Sequence, residues 1–145
     1  MSYRSVFRPG LFAGQAIVVT GAGSGIGRCT AHELAALGAH VVLVGRTAAP
    51  SSVGWDPAGA RLSIAMVESR LAFDIRDEEA VQATVAAVIA AHGRIHGLVN
   101  NAGGQFPAEL AGISAKGWQA VIANNLTGGF LKARESYNQC IRDHR

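Results

Sequence analysis

A cluster of glycines directly after the first apolar run of the sequence is the pattern best suited to chemistry. Gly21, Gly25 and Gly27 follow the run Ala16–Thr20. Glycines let backbone N–H groups approach an anion closely, and a helix that begins there points its positive end at a phosphate. The strict dinucleotide spacing G-x-G-x-x-G is absent, and a purely structural turn is the alternative. We therefore predict a phosphate-binding turn between a strand and a helix.

Two adjacent asparagines end a later apolar run. Leu98 and Val99 lead into Asn100, Asn101, Ala102 and Gly103. Amide side chains at the carboxyl end of a buried parallel strand supply donors and acceptors at the crevice where ligands bind, and a glycine lets the backbone pass close to a ligand. The alternative is a plain Asn-Ala-Gly turn. The pattern predicts a second part of the same binding site.

A third polar position lies within an apolar helical pattern. Trp118, Val121, Ile122 and Asn125 recur at spacings of three and four, which predicts one inward-facing helix surface. An amide in the core needs hydrogen-bond partners. Asn124 is a rival for the functional position, and a structural buried asparagine is the alternative. We predict that the Asn125 amide points into the core.

These three segments resemble motifs of the short-chain dehydrogenase/reductase family, whose cofactor motif reads T-G-x-x-x-G-I-G and whose strand-four motif reads N-N-A-G. The resemblance extends from about Leu11 to Asn138. It implies hydride transfer between a nicotinamide cofactor and a carbonyl or enoyl-CoA substrate, with Asn125 as the catalytic Asn of the family's Asn-Ser-Tyr-Lys set. It also implies that the cofactor is bound by Thr20, Gly21, Ser24, Gly25, Ile26, Gly27, Arg46, Asp74, Ile75, Asn101, Ala102 and Gly103.

Two short segments are similar to one branch of that family. Gly104, Gln105 and Phe106 follow the asparagines, and Gly117 and Trp118 follow a lysine further on. Both segments look like the branch that reduces enoyl-CoA or 2,4-dienoyl-CoA thioesters. These segments imply an acyl-CoA substrate. The family resemblance as a whole implies a small-molecule carbonyl or acyl-CoA substrate and a homo-oligomer when the protein is full length.

Cofactor choice depends on the residue that ends the second strand. An acid about twenty residues past the glycines accepts hydrogen bonds from the ribose of NAD, whereas the 2′-phosphate of NADP favours arginine. Arg46 follows the second apolar run, and no acid lies between Glu33 and Asp56. We predict NADP, with NAD less favoured. Asp74 and Ile75 resemble the family's adenine-contacting pair, with an ordinary loop acid as the alternative.

The reaction itself needs residues that this sequence lacks. The family's general acid is a Tyr whose pKa is lowered by a Lys four residues later, with a Ser orienting the carbonyl. No Tyr here is followed by Lys at that spacing, since the lysines are Lys116 and Lys132. We interpret residues 1–145 as a single Rossmann-type NAD(P)-binding domain, truncated before that segment and inactive alone. The alternatives are a non-catalytic nucleotide-binding module that needs a partner to complete its sheet, and an α/β protein for another nucleotide.

The elements that must position these residues alternate between strand and helix. Continuous β-branched apolar runs predict strands buried on both faces, and strand–helix–strand units predict a parallel sheet. The fold class is therefore α/β, a Rossmann-type doubly wound parallel sheet, incomplete with about four strands. The predicted strands are 16–20, 40–45, 70–73 and 95–99, and the predicted helices are 24–37, 60–68, one capped by Asp77 that ends at Gly93, and one capped by Ser114.

Packing expectations follow for the first helix and the last strand. Ile26, Cys29, Leu34 and Leu37 recur at helical spacing, which predicts the buried face of that helix. A fourth strand with no neighbour beyond it would be a long apolar edge, which is a template for a partner strand or for aggregation.

Charge and composition exclude several classes of function. The net charge of +3 comes from scattered arginines without a basic stripe, so nucleic acid is not an expected partner. No run is apolar enough for a signal peptide or a membrane span, and we expect a cytoplasmic protein without a membrane partner. Cys29 and Cys140 match no metal or redox spacing and are expected to be reduced and mostly buried. The five histidines show no metal spacing either, and no metal is expected.

Overall fold

A parallel sheet forms the centre of the molecule. The computed structural model describes residues 5–45, 70–72 and 74–142. In these ranges the strands lie in the order β3-β2-β1-β4, and each neighbouring pair is parallel. The predicted incomplete, parallel sheet of the Rossmann type is therefore confirmed. The strands are β1 (Ala16–Thr20), β2 (His40–Gly45), β3 (Arg70–Ala72) and β4 (Gly97–Val99).

A helix follows β1 and another follows β3, and each connects its strand to the next one along the chain, as parallel strands require. The helices are α1 (Gly25–Ala36), α2 (Glu78–His92), α3 (Ala115–Ile122) and α4 (Gly128–Ser136). A 3₁₀ turn covers Leu110–Gly112, and π-helical turns cover Ala123–Thr127 and Tyr137–Ile141. Because the first π-helical turn joins α3 to α4 and the second extends α4, one continuous helix runs over residues 115–141.

Both faces of the sheet are covered. Ile17 and Val19 of β1 pack with α1 on one face, and Val18 between them packs with α2 on the other. Side chains alternate along a strand, so a strand with two covered faces is apolar at nearly every position. All five residues of β1 are buried, which is why this part of the sequence is a continuous apolar run.

The capping residues lie where the sequence predicts them. The Asp77 carboxylate accepts the N–H of Ala80 (3.1 Å) at the start of α2, and the hydroxyl of Ser114 accepts the N–H of Gly117 (3.0 Å) at the start of α3. Each cap satisfies one of the N–H groups that a helix N-terminus leaves without a helical partner. α2 ends before Gly93, which adopts a left-handed conformation with φ 76°.

The predicted buried face of α1 is partly wrong. Ile26 is 79% exposed and Cys29 is exposed, so the expectation of two mostly buried thiols holds only for Cys140. The buried residues of α1 are Gly27, Ala31 and Ala35. Small residues on this face let the helix axis lie close to the sheet, and the larger apolar side chains at the start of α1 therefore point away from the core.

β4 is shorter than predicted. Ile95 lies buried in the core before the strand begins, and Nδ1 of His96 accepts the N–H of Ala16 at the start of β1 (3.0 Å). Burial, followed by the positive charge of Arg94, lowers the pKa of His96. The expected long apolar edge is thus only three residues long in the structure as described, Gly97–Val99.

Some predictions concern residues that the structure does not describe. The predicted end of the third strand at Phe73, the predicted helix 60–68 and Arg46 all lie outside the described residues. Within the described ranges, no helix is long and apolar enough to cross a membrane. Nor do three or more His, Cys, Asp or Glu side chains in those ranges gather where they could hold a metal ion.

Candidate functional site

The glycine turn and the asparagine motif meet at one end of the sheet. β1 and β4 are adjacent and parallel, with Val19 opposite Val99, so the loops after both strands leave the same edge. The strand order reverses at β1, since β2 lies on one side of it and β4 on the other. In open α/β sheets ligands bind at this topological switch point, outside the carboxyl ends of the strands.

The hydroxyl of Thr20 joins the two loops. Oγ1 donates to the carbonyl of Val99 (3.2 Å) and accepts the backbone N–H groups of Asn101 (3.1 Å) and Ala102 (3.0 Å). The side chain is fully buried, so no water competes for these bonds. Thr20 therefore holds the start of the asparagine loop at a fixed distance from the end of β1.

The side-chain amide of Asn101 completes the connection from the other side. Its Nδ2 donates to the carbonyl of Thr20 (2.9 Å) and to that of Gly21 (3.3 Å). These carbonyls lie where the chain turns from β1 into α1, and the amide gives each of them a hydrogen-bond partner there. The side chain of Asn101 thus holds the glycine turn in place through two hydrogen bonds.

Close packing explains two of the three motif glycines. A Cβ on Gly21, which has φ 68°, would lie 2.8 Å from Nδ2 of Asn101. A Cβ on Gly27 would overlap the same Nδ2 and would lie 2.5 Å from the carbonyl oxygen of Gly21. The third glycine, Gly25, has open space around it but adopts φ 53°, a conformation that strains other residues. Contacts within the protein and the backbone conformation of Gly25 therefore hold the shape of the turn.

The N-terminus of α1 has the properties of an anion site. Ser24 precedes the helix in an extended conformation, and its side chain makes no capping hydrogen bond. The first turn of α1 contains no acidic residue. Backbone N–H groups at such a helix start carry partial positive charge and favour an anion such as a phosphate. The exposed side chain of Ile26 stands beside these N–H groups.

Asn125 holds the loop that follows the asparagine motif. It lies in the π-helical turn, where Nδ2 donates to the carbonyls of Gly104 (2.6 Å) and Val121 (2.8 Å), and Oδ1 accepts the N–H of Gly104 (3.3 Å). A Cβ on Gly103 would overlap Oδ1 of Asn125. The residue is exposed, so the prediction that it faces the core is wrong. The 3.6-residue period assumed an uninterrupted α-helix, and the wider π-helical turn changes the direction of its side chains.

The predicted inward orientation of Trp118 is wrong as well, because its side chain is 57% exposed. The position of α3 that packs inward is Gly117, against the ring of Phe106, whose nearest ring atom would lie 2.7 Å from a Cβ. Because Gly117 has no side chain, the ring of Phe106 can pack against α3 at this position. This contact, together with the hydrogen bonds of Asn125 to Gly104, holds the loop between β4 and α3.

Two further predicted site residues, Asp74 and Ile75, follow β3 at the same edge of the sheet. The carboxylate of Asp74 accepts the backbone N–H (3.0 Å) and Nε (2.9 Å) of Arg76, which raises the pKa of that guanidinium. Ile75 is buried, and its carbonyl oxygen would lie 3.1 Å from a Cβ on Gly128 of α4. Arg46 lies outside the described residues.

Sequence reasoning missed the structural part that Asn100 and Gly104 take in this site. Nδ2 of Asn100 donates to the carbonyl of Gly129 (3.3 Å), which ties the end of β4 to α4. Gly104 offers its backbone N–H and carbonyl to Asn125. The paired glycines after the asparagines could have indicated these contacts, because a loop that is held through its backbone favours residues without side chains.

Comparisons with known proteins agree with this geometry. The family model that matches the chain is described as short chain dehydrogenase, and the match covers residues 15–145. The solved structure of a citronellol catabolism dehydrogenase of Pseudomonas aeruginosa is 58% identical, with a TM-score of 0.82 over 96% of this chain and 56% of that one.

Two further relatives are more distant. A metagenomic short-chain oxidoreductase solved in complex with NADP is 37% identical, with a TM-score of 0.74 over 92% of this chain and 60% of that one. A probable 2,4-dienoyl-CoA reductase of Bacillus subtilis is 31% identical over 81% of this chain and 45% of that protein. The chain spans about half the length of the curated relatives it matches. With its motifs at the switch point of a parallel sheet and a family match over nearly its whole length, this chain belongs to the short-chain dehydrogenase family.

Proposed function

We propose that this chain supplies the dinucleotide-binding part of an NADP-dependent oxidoreductase. The observation that carries the proposal is the reciprocal bonding of Thr20 and Asn101, which fixes the glycine turn against the asparagine loop at the switch point of the sheet. A turn whose shape is held by contacts within the protein, next to a helix start without a side-chain cap, suits the pyrophosphate of a dinucleotide.

The chain offers distinct groups to each part of such a cofactor. The pyrophosphate would lie against the backbone of Ser24, Gly25 and Ile26 at the start of α1, because N–H groups are available there. The adenine would lie near Asp74 and Ile75 after β3. The loop after β4 would face the nicotinamide ribose through Asn101, Ala102 and Gly103, whose side chains and backbone are held by Thr20 and Asn125.

Arg46 carries the proposed preference for NADP. It follows β2 at the position where NAD-binding units place an acid, and a guanidinium binds a phosphate through charge-assisted hydrogen bonds. The relative solved with NADP supports the same preference. NAD would lose this interaction and is the less favoured cofactor.

In the reaction, the bound cofactor supplies or accepts a hydride at its nicotinamide ring. Asn125 is the proposed catalytic asparagine, and through Gly104 it also fixes the loop that borders the reacting groups. General acid catalysis would require the family's Tyr and Lys, and this sequence contains no Tyr followed by Lys four residues later. We propose that these 145 residues alone bind the cofactor without turning over substrate.

The proposed substrate is a small carbonyl compound or an enoyl-CoA thioester. The relatives named for citronellol catabolism and for 2,4-dienoyl-CoA reduction support these two classes. We further propose that the full-length protein is a homo-oligomer in the cytoplasm. A non-catalytic nucleotide-binding module is the alternative, and it would bind the dinucleotide without transferring hydride to either class of substrate.

The experiment is a fluorescence titration with NADPH and with NADH, repeated on Arg46→Ala and on the matched control Arg94→Ala, which changes an exposed arginine at the other end of the sheet. We expect Arg46→Ala to weaken NADPH binding about tenfold or more, because a charged hydrogen bond to phosphate contributes about 1.5–3 kcal/mol. NADH binding and the control should be unchanged. Equal losses for both cofactors, or no loss, would refute the assignment of Arg46.

Activity separates the oxidoreductase from the binding module. Oxidation of NADPH by the protein that carries this sequence together with the family's Tyr and Lys would be followed with a ketone, an aldehyde and an enoyl-CoA. Turnover of one of them supports the enzyme. Tight cofactor binding without turnover of any of them supports the binding module.

A further inference from the structure

An exposed aromatic side chain lies in the loop that Asn125 holds. Phe106 follows Gly104 by two residues, and two residues of chain span at most about 7 Å. Asn125 bonds both backbone groups of Gly104, and its Nδ2 lies 2.6 Å from the carbonyl oxygen. Phe106 is therefore tied to the part of the candidate site that contains the Asn125 amide.

The ring of Phe106 is held on one side and open on the other. Atoms of the ring lie 2.7–2.9 Å from the Cβ position of Gly117, so the ring packs directly on the backbone of α3. The other side faces solvent, since the residue is 46% exposed. A ring that is already held in place loses little conformational freedom when a ligand covers it.

Two further apolar side chains stand near this ring. Ile113 precedes the cap residue Ser114, and Trp118 is the fourth residue of α3. Side chains at these two positions commonly pack together as a hydrophobic staple. Both are exposed, and Trp118 directly follows Gly117, on which the ring of Phe106 lies. Phe106, Ile113 and Trp118 thus form an exposed apolar surface at the start of α3, here called the apolar rim.

The polar groups next to the apolar rim are already used within the protein. Both N–H groups of the Asn125 amide donate to backbone carbonyls, and its oxygen accepts the N–H of Gly104. Between Gly104 and Ser114 the polar side chains are those of Gln105 and Glu109. A polyol would need a hydrogen-bond partner for each hydroxyl group that it buries, whereas an alkyl chain needs none.

We propose that the apolar rim binds the aliphatic chain of the substrate, so that this site favours carbonyl compounds with an extended alkyl chain over polyols. The inference rests on the proposed function, because it concerns the chain of a substrate whose carbonyl group reacts beside Asn125. Ligand sites are lined mainly by apolar side chains with a few polar groups, and the rim adds the apolar part to this one. Each CH₂ group that the rim covers should lower the Kd up to about fourfold.

Bromine quenching of tryptophan fluorescence tests the apolar rim without any turnover. The sequence contains two tryptophans, and Trp55→Phe leaves Trp118 as the only one. This chain would be titrated with 8-bromo-1-octanol, whose bromine quenches a tryptophan that it touches, and with 3-bromo-1,2-propanediol as the polar reference. We expect saturable quenching by the octanol alone, because only that probe has a chain that the rim can cover.

Matched variants identify the surface that binds the probe. Phe106→Gln should abolish the saturable quenching, whereas Phe106→Leu, which keeps an apolar side chain, should retain most of it. Phe7→Gln is the control, since Phe7 is a similarly exposed phenylalanine in the segment before β1. Quenching of the unchanged rim that does not saturate would overturn the proposal, and a second copy of the chain covering the rim would give this result. Saturable quenching that Phe106→Gln leaves intact would overturn it as well.

Kinetics distinguish a failure of this inference from a failure of the proposed function. In the protein that carries this sequence together with the family's Tyr and Lys, KM should fall about two- to fourfold for each CH₂ group added between propanal and octanal, while kcat changes little. Phe106→Gln should remove this dependence on chain length. Equal KM values along the series would overturn the inference, although the turnover would still support the proposed function. If no carbonyl compound is turned over, the proposed function fails and the quenching experiment alone decides whether the rim binds alkyl chains.

Discussion

The hydroxyl of Thr20 accepts the backbone N–H of Asn101, and the side-chain amide of Asn101 donates back to the carbonyl of Thr20. This reciprocal pair joins the ends of two parallel strands that lie 81 positions apart in sequence. Neither residue is free to move without breaking a bond of the other. The glycine turn and the asparagine loop consequently behave as one rigid edge of the candidate site.

Thr20→Val tests this joint directly. Valine keeps the shape of threonine but removes the hydroxyl, so the N–H of Ala102 loses its acceptor and the N–H of Asn101 keeps only the carbonyl of Val99 (3.1 Å). We expect a loss of about 1–3 kcal/mol in the free energy of unfolding, which is the cost of one donor left without a partner. Urea denaturation would measure it. Thr30→Val, on α1, is the matched control, and an equal effect of both substitutions would contradict the role of Thr20.

Gly27→Ala tests the packing of the turn against Asn101. The added methyl would overlap Nδ2 of Asn101 and crowd the carbonyl of Gly21, and overpacking of this kind costs about 1–3 kcal/mol. Gly23→Ala is the control in the same turn, because no atom lies within 4 Å of its Cβ position. Thermal denaturation should show a lower Tm for Gly27→Ala only. Similar Tm values for both variants would mean that the contact is unimportant.

Lys132→Met should stabilise the protein at neutral pH. The pKa of Lys132 is lowered from 10.5 to about 8 in the folded state, so folding excludes a proton that the unfolded chain binds. Stability therefore rises with pH between about 8 and 10.5, and below that window the lysine costs up to about 3 kcal/mol. Methionine removes this cost, and its advantage should shrink as the pH approaches 10.5. Destabilisation by Lys132→Met at neutral pH would show that the ammonium has a partner.

His96 should make the fold sensitive to acid. Its pKa is lowered in the folded state by burial and by Arg94, so the unfolded chain takes up a proton at a higher pH than the folded chain does. The contribution of His96 is thus complete above pH 6.5 and is lost as the pH falls below it. Protonation of Nδ1 also removes the acceptor of the Ala16 N–H. The variant His96→Asn keeps a hydrogen-bond acceptor that does not titrate, so its urea midpoint should fall less steeply as the pH is lowered. A midpoint of the variant that falls as steeply as that of the unchanged protein would disprove the effect.

The strands and the helix caps could be predicted because each leaves its pattern in consecutive or nearby residues of the sequence. β1 is apolar at consecutive positions because both faces are covered, and Asp77 and Ser114 cap helices through residues three positions away. The meeting of the two motifs was also predictable. It follows from the parallel pairing of β1 with β4, which brings their carboxyl ends to one edge.

The side-chain orientations that were mispredicted depend on tertiary packing. Ile26 points outward because α1 packs against the sheet through small residues. The spacing of apolar residues along a helix does not show whether the large or the small ones face the core. Asn125 is exposed because a π-helical turn interrupts the helix that its spacing assumed. Burial of Lys132 had no signal in the sequence, because lysine is the residue type least expected in a core.

The measurement that tests the central claim most directly is backbone amide hydrogen exchange with and without NADPH. We expect bound NADPH to slow exchange in peptides that cover Gly21–Gly27 and Asn100–Gly103, because the proposed site is made of these backbone segments. Exchange in the second half of α2, residues 85–92, should be unchanged, since it lies at the other end of that helix from Asp74 and Ile75. Absence of protection in both segments of the folded protein at saturating NADPH would contradict the account.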